Sequence, residues 1–192
     1  PTTMTWTLFP QAGILSHEIA EDIERVTGFN NSYPGVSLQR TLLFLKPDII
    51  ILYDTAESTS THTYSQLFRI AHKMRIARLN DEEMMLASET NNNMKVSMLQ
   101  MFPAQSSIYN GDHENIRGFA SIEFDTLIPT PQVAFSVKGN HSEFITIIGI
   151  NKTTKSLKEY LSTIIKITPE KISLTKEKNT LGEIRRIQTK TQ

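Results

Sequence analysis

The feature that most constrains this chain is a two-residue rhythm of apolar and polar side chains that recurs from end to end and is broken every ten residues or so by turn-forming residues. Apolar positions at helical spacing rarely persist beyond two turns. A half-buried strand shows one face to the core and one to solvent, so this rhythm predicts strands. About ten or more of them at this spacing predict an all-β chain, an antiparallel β-sandwich or barrel.

The strands expected are a first one around Trp6, Leu8 and Phe9, a charged edge strand over 15–26, then 37–45, 48–54, 62–70, 83–88, 94–102, 120–125, 132–138 and 143–150. Helix competes with strand over 15–26. Turns are expected at Lys46-Pro47, Asn91-Asn92-Asn93, Asn110-Gly111-Asp112 and Lys138-Gly139-Asn140-His141. Proline at 47 forbids a ladder donor and biases its neighbour to extended geometry, so 40–54 is expected to form a hairpin. His62, Tyr64, Gln66, Phe68 and Ile70 share one strand face, a mixture of polar and apolar side chains.

The chain has 192 residues, 39% of them apolar, and no cysteine. That length supports a core without disulfide staples, and the missing cysteines exclude thiolate metal sites and thiol nucleophiles. Formal charge sums to zero, which argues against a global pull toward nucleic acid. The sum hides an asymmetry. Residues 1–150 carry 10 Lys/Arg against 16 Asp/Glu, a net of −6, and residues 151–192 carry 10 against 4, a net of +6. The expected organisation is a sandwich over 1–150 and a basic hairpin or accessory element over 151–192, with a short helix near 156–164. The lysines of that segment alternate with Thr and Ile and lack stacking aromatics, so it does not resemble a nucleic-acid arm. Apolar runs are far shorter than the roughly 18 residues a membrane-spanning helix needs. The first residue is Pro1 and no signal peptide can be read, as in a piece of a longer protein.

No serine-hydrolase elbow, phosphate loop or dinucleotide glycine motif is present. The five histidines, at 17, 62, 72, 113 and 141, form no close metal-binding pair. Asp81, Glu82 and Glu83 read as a solvated acidic turn rather than a calcium site. Trp6, Tyr33, Tyr53, Tyr64 and Tyr109 have rings that suit either sugar stacking or core packing. The hairpin brings Asp54 back beside Arg40, with His62 nearby after a polar loop. A buried Asp54 carboxylate then needs either a metal or an ion pair with Arg40, and removing it from such a pair is expected to cost about 3 to 5 kcal/mol. A self-sufficient metal enzyme built on His62, His72 and Asp54 is a further reading.

From Arg40 through Lys46-Pro47-Asp48 and the apolar strand Ile49-Ile50-Ile51-Leu52-Tyr53 to Asp54, followed by His62-Thr63-Tyr64, the sequence resembles the heparinase II/III-like family. The stretch 119–150, with Pro129-Thr130-Pro131 and Phe144-Ile145-Thr146-Ile147-Ile148, is similar to that family's closing strands. The likeness covers about 30–150. It implies the C-terminal β-sandwich of a two-part bacterial polysaccharide lyase, periplasmic or extracellular, acting on uronate-containing glycans such as glycosaminoglycans by β-elimination. It further implies an anionic polysaccharide as partner and an N-terminal helical toroid that carries most of the catalytic groups, so that this part alone is inactive. No cofactor is required by the sequence; the resemblance implies a divalent metal (zinc, calcium or manganese), with Asp54 and His62 as its ligands. Arg40, Tyr64 and His72 are the substrate-cleft candidates, and no catalytic residue is assigned. Relatives often carry histidine where this chain has Leu38 and a polar residue or histidine near Arg69. The alternative is a non-catalytic sandwich that binds carbohydrate or holds a neighbouring domain.

Overall fold

The computed structural model describes residues 11–78, 80, 82–88, 94–168, 171–176 and 179–185. In chain order the strands are β1 (Ala12–Ile19), β2 (Ile23–Asn30), β3 (Val36–Leu45), β4 (Ile49–Arg69), β5 (Met74–Arg78), β6 (Glu83–Ser88), β7 (Lys95–Gln100) and β8 (Gln105–Tyr109). They continue with β9 (Phe119–Glu123), β10 (Thr126–Pro129), β11 (Gln132–Ile150), helix α1 (Thr154–Ile164), β12 (Ile165–Ile167), β13 (Lys171–Lys176) and β14 (Asn179–Arg185). All pairings are antiparallel. The large sheet runs β1-β2-β3-β4-β11-β7-β6-β5, and β8 also pairs with β11. β9 and β10 form a separate hairpin, and β12 to β14 a three-stranded sheet. This is the expected antiparallel β-sandwich, with one short helix.

The sandwich arises because its two central strands are long and turn a corner together. β4 has 21 residues and β11 has 19. Gly139 pairs with His62 and His141 with Glu57, so residues 58–61 of β4 stand against Asn140 alone. The extra residues re-aim both strands, as bulges do. Ser58 holds the corner locally, its hydroxyl reaching the Ser60 carbonyl at 2.6 Å and accepting from the Ser60 amide at 3.0 Å. The corner is tight: a Cβ on Gly139 would lie 3.0 Å from the His141 carbonyl oxygen.

Two cores lie on the two faces of this folded ribbon. On one face Leu43, Ile49, Ile51, Ile145 and Ile147 pack against Leu157, Leu161 and Ile164 of α1 and Ile172 and Leu174 of β13. On the other, Ala56 and Phe144 from one side of the corner meet Tyr64, Val133 and Phe135 from the far side, together with Met84 and Met98.

Several expectations are corrected. The segment 15–26 is parts of two strands, because Ala20, Glu21 and Asp22 turn the chain between β1 and β2. Every residue of β1 is exposed, as suits an edge strand. The pair 48–54 and 62–70 is one strand, as is the pair 132–138 and 143–150; exposed polar stretches that read as loops are the corner. Strands β5, β8 and β10 were not foreseen; each has only four or five residues, too few for a period to show. The C-terminal segment, expected as a short helix near 156–164 with a hairpin or accessory element, forms α1 and the three strands β12 to β14. The expected strand at 6–9, Asp81 of the acidic turn and the Asn91–93 turn lie outside the described residues.

Helix α1 starts with a capping box, the Thr153 hydroxyl accepting from the Ser156 amide at 3.1 Å and the Ser156 hydroxyl from the Thr153 amide at 3.1 Å. Thr153→Ala is expected to lower stability by about 1 kcal/mol, measured by urea denaturation.

Candidate functional site

β3 and β4 turn at Lys46-Pro47 and pair so that Arg40 stands directly opposite Asp54. Cross-strand partners of this kind project to one face with their Cβ atoms close together. Arg40 Nε donates to Asp54 Oδ1 and Nη2 to Oδ2, both at 2.6 Å, a two-pronged charge-assisted contact. The hydrogen bonds to Asp54 hold the Arg40 guanidinium pKa above its ordinary value against the opposing effect of burial. The Asp54 side chain is 16% exposed and that of Arg40 55%.

The corner then folds the second half of β4 over the first. Gln66, 3% exposed, donates from Nε2 to Asp54 Oδ2 at 2.8 Å. Its Oε1 accepts from the Thr146 hydroxyl at 2.5 Å and from Gln100 Nε2 at 3.5 Å, and Gln100 Oε1 accepts from the Ile145 amide at 3.1 Å. A buried polar chain therefore runs from Arg40 through Asp54 and Gln66 to β7 and β11. Sequence reasoning missed Gln66, Gln100 and Thr146 as a network. The visible signal was Gln66 between the apolar rings of Tyr64 and Phe68 on one strand face.

Above this pair opens a cleft of about 870 Å³ lined by Arg40, Asp54, His62, Tyr64 and Gln66, with Tyr33 from the loop between β2 and β3. Gly28, opposite Arg40 in β2, adds no side chain to it. His62 is exposed; one ring nitrogen lies 2.8 Å from the Ser60 hydroxyl and its ring meets Tyr64 edge-on at 6.0 Å. Tyr64 is 8% exposed, and its buried hydroxyl has no hydrogen-bond partner among the described residues. The fold thus brings together four of the five expected residues, Arg40, Asp54, His62 and Tyr64. His72 sits in the exposed turn between β4 and β5 and does not line the cleft.

The metal donor set implied by resemblance fits poorly. Both Asp54 oxygens face the Arg40 fork, and a ligand carboxylate beside a fixed cation is a weak metal base. Among the described residues, no group of three or more His, Cys, Asp or Glu side chains could hold a metal ion.

No protein-family model matches the sequence, and no curated protein matches it. Solved structures do. A heparinase III matches with a TM-score of 0.65 and 13% identity over 91% of this chain and 28% of its own. A heparan sulfate lyase from Pedobacter heparinus matches with a TM-score of 0.65 and 12% identity over 91% and 28%. A further heparinase III crystal structure matches with a TM-score of 0.61 and 14% identity over 90% and 27%. The chain has a heparinase-like fold. At these identities the likeness is one of fold, and the chain spans just over a quarter of the length of the structures it matches. The heparinase-like fold extends over 91% of the chain, more than the 30–150 stretch in which sequence resemblance is visible. No helix among the described residues is long and apolar enough to cross a membrane.

Proposed function

We propose that this chain is the C-terminal β-sandwich of a polysaccharide lyase, one wall of a cleft that acts on uronate-containing glycans. The observation that carries this reading is the joining of a heparinase-like fold to an open cleft of about 870 Å³ whose largely apolar wall holds the Arg40–Asp54 pair. Elimination next to a uronate needs the carboxylate neutralised, a base for the α proton and an acid for the leaving oxygen. The cleft holds fragments of that set. Arg40 is a cation already paired, His62 is an exposed proton carrier, and the Tyr64 hydroxyl is buried. The remaining groups belong, in this reading, to a helical toroid in a periplasmic or extracellular bacterial parent, with an anionic polysaccharide lying between the two parts.

The isolated chain is therefore expected to release no unsaturated uronate from heparan, hyaluronan or alginate, followed by ultraviolet absorbance. Measurable turnover would overturn the split-site reading. A non-catalytic carbohydrate-binding or scaffolding sandwich is the second reading, favoured by the neutralisation of Arg40 and by Leu38 in the cleft wall. In the parent protein, His62→Ala lowers lyase activity by roughly tenfold or more if the wall takes part in proton transfer, and leaves it unchanged if the sandwich only supports.

A further inference from the structure

Among the described residues, β9 and β10 pair with each other and with no other strand. Phe124, in the turn that joins them, is fully exposed, and Ile122, Leu127 and Ile116 nearby in sequence are exposed as well. Apolar surface of this extent held in water marks a contact site. Acidic groups surround it: residues 110–131 carry Asp112, Glu114, Glu123 and Asp125 against Arg117, a net of −3. A matching surface lies elsewhere on the molecule. Where α1 and β12 meet the end of β7, a notch of about 370 Å³ is lined by the apolar side chains of Leu99, Met101, Leu161 and Ile165, with Lys158 and Glu82 beside them. It shares no lining residue with the Arg40–Asp54 cleft. Lys155 and Lys166, both exposed, belong to the same stretch of chain, within the segment 151–192 of net charge +6. An apolar knob with acidic flanks and an apolar notch in a basic segment are complementary. Within one chain the full exposure of Phe124 shows that no notch holds it, and α1 packs on β6, β7, β12 and β13. Two copies can bring the surfaces together, because a formal charge of zero leaves no net repulsion between them.

We propose that the β9–β10 hairpin of one copy seats Phe124 in the notch between α1 and β7 of a second copy, and that the contact is made twice, reciprocally, in a two-fold dimer. Reciprocity closes the assembly at two copies, whereas one-way knob-and-pocket contacts run on into filaments. It also doubles the buried area, which a single hairpin tip leaves well short of the roughly 1,200 Å² of a stable interface. Glu123 and Asp125 then approach the lysines of the 155–166 stretch, and Glu82 is the acidic lining residue that opposes them. The proposal is independent of the glycan reading of the cleft.

The test is sedimentation velocity of the 192-residue chain. Between about 5 and 200 μM the monomer is expected to pass into a dimer with a Kd of roughly 10 to 50 μM. The Kd should rise severalfold as salt increases from about 0.05 to 0.5 M. Phe124→Ser removes the knob and Ser162→Trp fills the notch, both at exposed positions, so far-UV circular dichroism should not change. Each variant alone is expected to raise the Kd about tenfold or more. Mixed in equal amounts, the two should associate more tightly than either does by itself, because one keeps an open notch and the other an intact hairpin. A chain that stays monomeric at the highest concentration would overturn the proposal. So would a dimer indifferent to Phe124→Ser, a series of species larger than the dimer, or a mixture no better associated than its components. None of these results touches the lyase reading.

Discussion

Replacing Asp54 by alanine is expected to lower the unfolding free energy by about 3 kcal/mol. The substitution removes two charge-assisted hydrogen bonds to Arg40 and leaves the Gln66 amide, inside a residue that is 3% exposed, without its acceptor. The loss falls at the low end of the range for a buried pair because the Arg40 side chain is 55% exposed and water recovers part of its solvation. Asp54→Asn keeps the shape and one acceptor, and should lose about half as much. Chelator-stripped protein titrated with zinc or manganese should show no rise in melting temperature. A rise that disappears in Asp54→Ala would establish a metal at this position instead, and a midpoint indifferent to both metal and substitution would make Asp54 a solvated strand residue.

Leu157→Ala is expected to cost about 3 to 4 kcal/mol. Leu157 is fully buried, and its methyl groups lie 2.9 and 3.0 Å from where a Cβ on Gly149 would stand, so the leucine occupies space that the glycine leaves in β11. A rigid sheet beneath and a helix above give the cavity little room to collapse. Because Leu157, Leu161 and Ile164 belong to the same cluster as Ile51 and Ile147, helix and sheet should unfold in one transition, followed by far-UV circular dichroism in urea. Separate melting of the C-terminal element with an unchanged main transition would mean that it forms an independent unit.

The architecture was legible where the two-residue period ran long. Arg40, Asp54 and the turn at Lys46-Pro47 could be placed opposite one another because the hairpin is local, and the structure shows that pairing. The corner was not legible. Residues such as Ser58, Ser60 and Asn140 are short and polar, the composition of a loop, and only the pairing of β4 with β11 shows that they belong to continuous strands. The network behind the site was hidden for the same reason: Gln66 meets Thr146 and Gln100 across separations of 80 and 34 residues, which no local pattern encodes. His72 was a cleft candidate on sequence, whereas the end of β4 carries it into an exposed turn. Tyr33 drew attention only as one of several tyrosines; its place on the rim follows from the loop that joins β2 to β3.

The corner-turning ribbon also sets a timetable for folding. The sheet's central pairing joins Arg69 to Gln132 at one end and Ile49 to Gly149 at the other. Neither half of the ribbon can close until the chain between them has been gathered in, and that entropy must be spent before any of the ladder's hydrogen bonds return it. Folding on the millisecond-to-second scale is expected, with the first hairpins formed early and waiting. During synthesis β4 emerges long before its partner β11, so one long side of the central strand stays unpaired for the time the ribosome takes to add the intervening residues. That interval, rather than the finished protein, is when the chain is most open to pairing with a neighbour.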